Sequence, residues 1–223
     1  MVVYDGGSQW YNALNTIAAG WLAHGGTFYY NVTAQPPDRL RADLQRMGVK
    51  TEELERSDRL RFADWYSASI GQKSKERFSS DSLRVADLSI AFSKFIKDTF
   101  GPEVLRGWDS TSFLARFNDE KIFLEFILAR PISATYAKRS NLILSFIRGY
   151  HSDWVYKAME SAVDGIIDFK LDEAGEEPRS LMRIRSLRYG NFDGKWHELK
   201  TDENLSVRIS WASMKKHHSD ASS

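Results

Sequence analysis

Val2-Val3-Tyr4-Asp5-Gly6-Gly7-Ser8-Gln9-Trp10-Tyr11-Asn12 is the stretch whose reading decides the fold. Val2 to Tyr4 reads as a short apolar strand, and Gly6-Gly7 as the turn that ends it. Residues 13–23 then carry helical spacing and stop at His24-Gly25-Gly26. A second apolar run, residues 27–32, follows. Strand, glycine turn, helix, strand predicts a βαβ unit, and so a parallel sheet covered by helices.

Outward from that unit the punctuation is regular. Pro36-Pro37-Asp38 opens a helix over 38–47, with Leu40, Leu44 and Met47 on one face and Gly48 at its end. A short helix is expected over 51–56 and a strand over 60–65. Residues 67–82 are rich in Ser, Gly, Gln and Lys and read as a loop. Leu88, Ala91, Phe92, Phe95 and Ile96 share a face of a helix over 87–100, which Gly101-Pro102 terminates. Residues 104–108 make a poor strand, interrupted by Arg106 and Gly107. A helix over 119–130 should turn Ile122, Phe123, Phe126 and Ile127 inward. The continuous apolar run 141–147 suits the middle of a parallel sheet. Ser152-Asp153 caps a helix reaching about residue 163.

Beyond it the pattern changes. Strands are expected over 165–171 and 180–187, joined by an acidic turn at 172–178, then over 196–200 and 205–211. The expectation is one α/β domain over 1–211 with a C-terminal β-hairpin region, and a disordered tail over 212–223.

Composition narrows the function. The 223 residues are 42% apolar, enough for a core. The net charge of +1 gives no overall field toward nucleic acid or an acidic membrane. The cysteine count is 0, which excludes disulfides, thiolate chemistry and zinc–sulfur sites. No apolar run approaches the ~20 residues that span a bilayer. A cytoplasmic protein is the expectation.

A phosphate-binding loop of the form G-x-x-x-x-G-K-[ST] wraps phosphate in backbone N–H groups. Its Lys neutralises charge and its hydroxyl holds Mg²⁺. With Gly7 on the fourth position, Tyr4 and Gln9 take the two glycine positions, Trp10 the Lys and Tyr11 the Ser/Thr. A register one residue away supplies no Lys either. Gly6-Gly7 is equally a tight strand-to-helix turn. Trp10-Tyr11 is either a stacking platform for a base or packing where phosphate would sit. Asp109-Ser110 is either a metal-binding Asp or a common turn. Arg183, Arg185 and Arg188 could meet phosphate or RNA, or line a solvated strand face. His151 follows the strand 141–147, where ligands bind in open α/β sheets, so it is a candidate contact; a polar residue at a helix start is the other reading.

The order of these pieces resembles the RecA/KaiC-like ATPase superfamily in a degenerate form. The resemblance runs from the first strand to about Ile209. Its most specific parts are Met159-Glu160-Ser161-Ala162-Val163-Asp164-Gly165-Ile166-Ile167-Asp168 and the return strand Met182-Arg183-Ile184-Arg185-Ser186-Leu187-Arg188. The resemblance implies a RecA-like, mostly parallel sheet flanked by helices. It places a degenerate nucleotide site at Gly6, Gly7, Ser8, Gln9, Trp10 and Tyr11, the metal-coordinating acid at Asp109, and a basic residue facing a neighbouring subunit at Arg188. The acids that polarise the attacking water would fall on Thr33-Ala34-Gln35-Pro36, which holds no carboxylate. Losing one charge-stabilising group costs about 10²–10³ in rate. The expectation is a non-catalytic regulatory or scaffolding protein, a pseudo-ATPase in signal transduction. No cofactor is expected, ATP with Mg²⁺ being the alternative. A protein partner or self-association is expected, without a membrane and with nucleic acid less favoured. A divergent nucleoside triphosphatase using Asp109 and Arg188 and a nucleic-acid-binding recombinase-like accessory protein remain the alternatives.

Overall fold

The structure, a computed structural model, describes residues 1–210. Strand β1 (Val2–Tyr4) leads through residues 5–9 into α1 (Trp10–Ala23), then β2 (Thr27–Val32), α2 (Pro37–Arg46), α3 (Thr51–Arg56) and β3 (Leu60–Asp64). Next come α4 (Tyr66–Ser69), β4 (Phe78–Ser79), α5 (Val85–Phe95) and β5 (Val104–Trp108). A 3₁₀ segment (Thr111–Phe117) precedes α6 (Glu120–Ile127), a π-helical turn (Leu128–Ile132) and α7 (Ser133–Lys138). The chain continues through β6 (Asn141–Ile143), β7 (Ser145–Ile147), α8 (Asp153–Ala162), β8 (Gly165–Asp172), β9 (Arg179–Leu187), β10 (His197–Thr201) and β11 (Val207–Ile209).

The strands hydrogen-bond in two runs, β4-β3-β2-β5-β6 and β11-β10-β9-β8-β1-β7. Pairings are parallel from β4 to β6 and around β1, and antiparallel from β8 to β11. Residues 141–147 join the runs. Their first half, β6, pairs with β5 and their second half, β7, pairs with β1. At the junction Val2 N–H donates to the Leu144 carbonyl at 2.7 Å, and Ser145 Oγ donates to the Trp108 and Asp109 carbonyls, both at 2.9 Å.

Each face of this sheet carries its own core. Against α1 and α2 lie Leu14, Ala18, Phe28, Tyr30, Leu40 and Phe62. Against α5, α6 and α8 lie Phe92, Phe95, Trp108, Phe123, Phe146 and Met159. The result is helix, sheet, helix, because parallel strands need both faces covered.

Several expected elements are corrected. Residues 104–108 are no poor strand: β5 is buried along its whole length between β2 and β6. A Cβ on Gly107 would sit 2.7 Å from the Phe28 ring, so only glycine lets that ring close over the strand. The neighbouring Arg106 is buried, and its Nη2 donates to Thr135 Oγ1 at 2.8 Å and Ser140 Oγ at 2.9 Å. The expected loop 67–82 contains α4 and β4. The helix over 119–130 ends at Ile127, and the π-helical turn with Pro131 carries the chain into α7, which periodicity did not signal. Ile122 faces solvent rather than the core, 48% exposed. The strand over 141–147 is two strands, not one. Trp211, where the fourth C-terminal strand was expected to end, and the tail 212–223 lie outside the described residues.

Candidate functional site

The C-terminal ends of β1, β2 and β5 meet at one place, where open α/β sheets bind ligands. The turn after β1 closes on itself. Ser8 donates to the Asp5 carbonyl through its N–H at 3.1 Å and its Oγ at 2.7 Å. Gly7 takes φ +82°, a value that disfavours a side chain. Gln9 sits at the start of α1, its Oε1 accepting from Asn12 Nδ2 at 2.9 Å.

Trp10, the first residue of α1, is fully buried. Its ring lies 5.4 Å from Phe169 and 6.0 Å from Tyr4, and its indole N–H donates to the Asp109 carbonyl at 2.8 Å. Tyr11 OH lies 3.2 Å from Tyr4 OH, which donates to Ser110 Oγ at 2.8 Å. Burial pushes both phenols to higher pKa, so they stay neutral. Trp10 therefore links the turn to the Asp109-Ser110 segment directly, and Tyr11 does so through Tyr4.

Asp109 is completely buried at the end of β5. Oδ1 accepts from Thr33 N at 2.8 Å, Thr33 Oγ1 at 2.6 Å and Ser110 N at 2.6 Å, and Oδ2 accepts from Ala34 N at 3.0 Å. Burial pushes the carboxyl up, and the Thr33, Ala34 and Ser110 donors oppose that. Thr33 and Ala34 stand where the resemblance puts water-polarising acids; here they hold Asp109. Four protein donors thus converge on the Asp109 carboxylate. The turn carries no Lys, an indole stands at its helical end, and Asp109 is held by Thr33, Ala34 and Ser110.

One basic group near this place went unnoticed in the sequence. Arg148, just past β7, reaches the residue before Gly6: its Nε donates to Asp5 Oδ1 at 2.7 Å. The other oxygen of Asp5 accepts from Leu171 N at 3.2 Å. Arg148 also lies 3.4 Å from Asp168, a buried carboxylate in β8 shared with Arg183 at 3.0 Å and Arg185 at 3.2 Å. Arg185 adds an ion pair to Glu160 at 2.6 Å. Arg183 and Arg185 are thus committed to internal acids. Asp168 opposite Arg183, with Arg185 two residues further along β9, was the available signal.

Arg188 is not brought to the turn. It lies past the end of β9, beside the start of β8, and the turn follows the far end of β1. Its Nη2 donates to the Ser161 carbonyl at 3.0 Å, and Nη1 lies 3.6 Å from Asp164. Within one chain the nominated residues form two separate places: Gly6, Gly7, Ser8, Gln9, Trp10, Tyr11 and Asp109 at one, Arg188 at the other.

His151 is buried next to Ser112 and Glu120. Nε2 is 2.8 Å from Ser112 Oγ, and Nδ1 is 3.4 Å from Glu120 Oε1. The order Ser, His, acid is that of a nucleophilic triad. Ser112 is however fully buried, and its Oγ already accepts from Ile147 N at 2.9 Å. A nucleophile without access to substrate does no acyl transfer, so the cluster is a junction between segments.

A half-open apolar cleft of about 400 Å³ lies between α1 and the C-terminal strands, lined by Trp10, Ile17, Ile167, Met182, Leu199 and Val207 among others. Val207 N–H donates to Thr16 Oγ1 at 2.9 Å and ties the edge strand to α1. No helix among the described residues is long and apolar enough to cross a membrane.

No protein-family model and no curated protein matches the sequence. Solved structures do match. A KaiC-like protein of the hyperthermophilic archaeon Pyrococcus horikoshii OT3 superposes with a TM-score of 0.70 at 16% identity, over 94% of this chain and 88% of that one. An uncharacterised Pyrococcus horikoshii protein, solved in complex with an unknown peptide, superposes with a TM-score of 0.70 at 12% identity, over 94% and 90%. The α/β sheet with its appended antiparallel strands is the RecA-type fold of KaiC-like proteins.

Proposed function

We propose that this chain is a pseudo-ATPase of the RecA/KaiC-like kind, a regulatory or scaffolding protein that works through protein contacts rather than hydrolysis. The observation that carries this reading is the buried Trp10. Its indole is bonded to Asp109 at the helix start where a phosphate-binding Lys would stand. Loss of one such charge costs about 10²–10³ in rate, and here the hydroxyl and the water-orienting acid are missing as well. The apolar cleft supports the scaffolding half of the reading, since exposed apolar surface of this kind marks interaction sites. The neighbour solved with a peptide makes a peptide segment a reasonable partner class.

The test is calorimetric titration with ATP, with and without Mg²⁺, alongside a hydrolysis assay. Background turnover and no saturable heat are expected. Turnover of about one per second or more, abolished in Asp109→Ala, would overturn the reading. It would favour a divergent nucleoside triphosphatase, for which Arg148 is the supporting observation, because it brings a cation to the Gly6-Gly7 turn from elsewhere in the chain. Nucleic-acid binding is less supported, because Arg183 and Arg185 are spent on Asp168 and Glu160.

A further inference from the structure

We propose that the apolar cleft beside α1 is closed by the chain's own residues 211–214, with Trp211 as the side chain that fills its open side.

The cleft calls for an apolar cover. It holds about 400 Å³ and stands half open, and among the described residues no charged side chain lines it. Ile17 of α1, part of its wall, is 37% exposed. An uncharged apolar occupant suits such a surface.

Strand β11 leads the chain to it. Val207 and Ile209 line the cleft, while Arg208 between them faces solvent, as strand alternation requires. The ladder continues past Ile209, because Ser210 N–H donates to the Glu198 carbonyl at 2.8 Å. The register of β11 on β10 pairs Val207 with Thr201 and Ile209 with Leu199. Carried on by two residues, it sets position 211 opposite His197. His197 pairs with Met182 and Met182 with Phe169, and the last two line the cleft. Cross-strand partners share a face of the sheet. One row therefore runs from Phe169 through Met182 and His197 to position 211, on the cleft side. The residue at that position is a tryptophan, about 7 Å along the strand from Ile209.

The sequence beyond β11 suits the same place. Trp211, Ala212, Ser213 and Met214 carry no charge, and the basic run Lys215-Lys216 begins directly after them. A second copy or a peptide partner reaches the cleft only by diffusion. A side chain tethered a few residues away competes at an effective concentration on the order of millimolar. The inference does not rest on the scaffolding role; a peptide partner that uses the cleft has first to displace Trp211.

The experiment is methyl NMR of the full chain, following Ile17 and Met182. Trp211→Phe identifies the indole signals, and the Ile122 methyls, exposed on α6, serve as the internal control. An indole in the cleft shifts the Ile17 and Met182 methyls by its ring current and gives cross-relaxation to them. Both effects should be lost in Trp211→Ala, with Ile122 unmoved. Ile17 and Met182 signals that are the same in Trp211→Ala as in the unmodified chain leave the cleft to a partner and overturn the proposal. A ring-current shift that disappears on dilution also overturns it, because a second copy then supplies the ring. Should Trp211→Ala not fold, the unmodified chain decides alone: a Trp211 ring with no cross-relaxation to either methyl group rules the proposal out.

Discussion

Replacing Trp10 separates its two roles. Trp10→Phe keeps a ring against Phe169 and Tyr4 but loses the indole donor. The Asp109 carbonyl still accepts from Ser145 Oγ, so a loss of only about 1 kcal/mol is expected. Trp10→Ala should cost about 3–5 kcal/mol, because a fully buried indole leaves a cavity. Urea unfolding of the two variants reads the difference. If Trp10→Ala costs no more than Trp10→Phe, the indole is not filling space. Part of this site could be read before any coordinates: a Lys that is missing from residues 5–11 is missing in any fold. What could not be read was the state of Asp109. Its donors come from Thr33, Ala34 and Ser110, two of them far away in sequence, and no spacing rule connects Thr33 to position 109. Arg148 escaped notice for the same reason, since only the parallel pairing of β1 with β7 brings it to Asp5.

At the scale of elements, one arginine helps fasten the segment read as a loop over 67–82, together with Asp64 and the pairing of β4 with β3. Arg41 of α2 donates to Glu55 at 2.7 Å and to Glu76 at 2.7 and 2.8 Å, and its guanidinium lies 4.5 Å over the Phe62 ring. Arg41→Ala leaves two partly buried carboxylates without their cation. A loss of about 1–3 kcal/mol and faster limited proteolysis within residues 67–82 are expected; an unchanged cleavage pattern would show the segment is held elsewhere. The junction of α6 and α8 gives a second test. Burial lowers the His151 pKa below its ordinary 6.5, so the unfolded chain binds the proton more readily than the folded one. Its contribution to stability is therefore complete above about pH 6.5 and lost as pH falls through the folded value. Unfolding midpoints between pH 7 and 5 should drop more steeply in the unmodified chain than in His151→Gln. Helices with clean spacing, such as α2 and α5, were legible to within a few residues. The strand β5 was not, because Arg106 and Gly107 look like interruptions until Thr135, Ser140 and the Phe28 ring are in place around them.

For the whole molecule, the order of elements was legible because helices and strands alternate in the first two thirds and strands alone follow. The break between β6 and β7 was hidden, since a crossing strand that changes partner midway keeps one apolar pattern throughout. Self-association belongs to this scale. If copies pack side by side through the face bearing Arg188, Arg188→Glu should weaken the oligomer in sedimentation, because it sets an acid beside Asp164 at the contact. A strict monomer at high concentration, or an oligomer indifferent to the change, removes Arg188 from that role. The sheet order also governs the birth of the protein on the ribosome. Strand β1 finds its partners only at Ser145–Ile147 and Gly165–Asp172, which are synthesised long after it. At a synthesis rate of about 5–20 residues per second, Val2 to Tyr4 wait on the order of ten seconds with both strand edges bare. The sheet β2, β3, β5 can assemble meanwhile. Until those partners emerge, Val2 to Tyr4 are an open strand for a chaperone, or for a second copy emerging nearby.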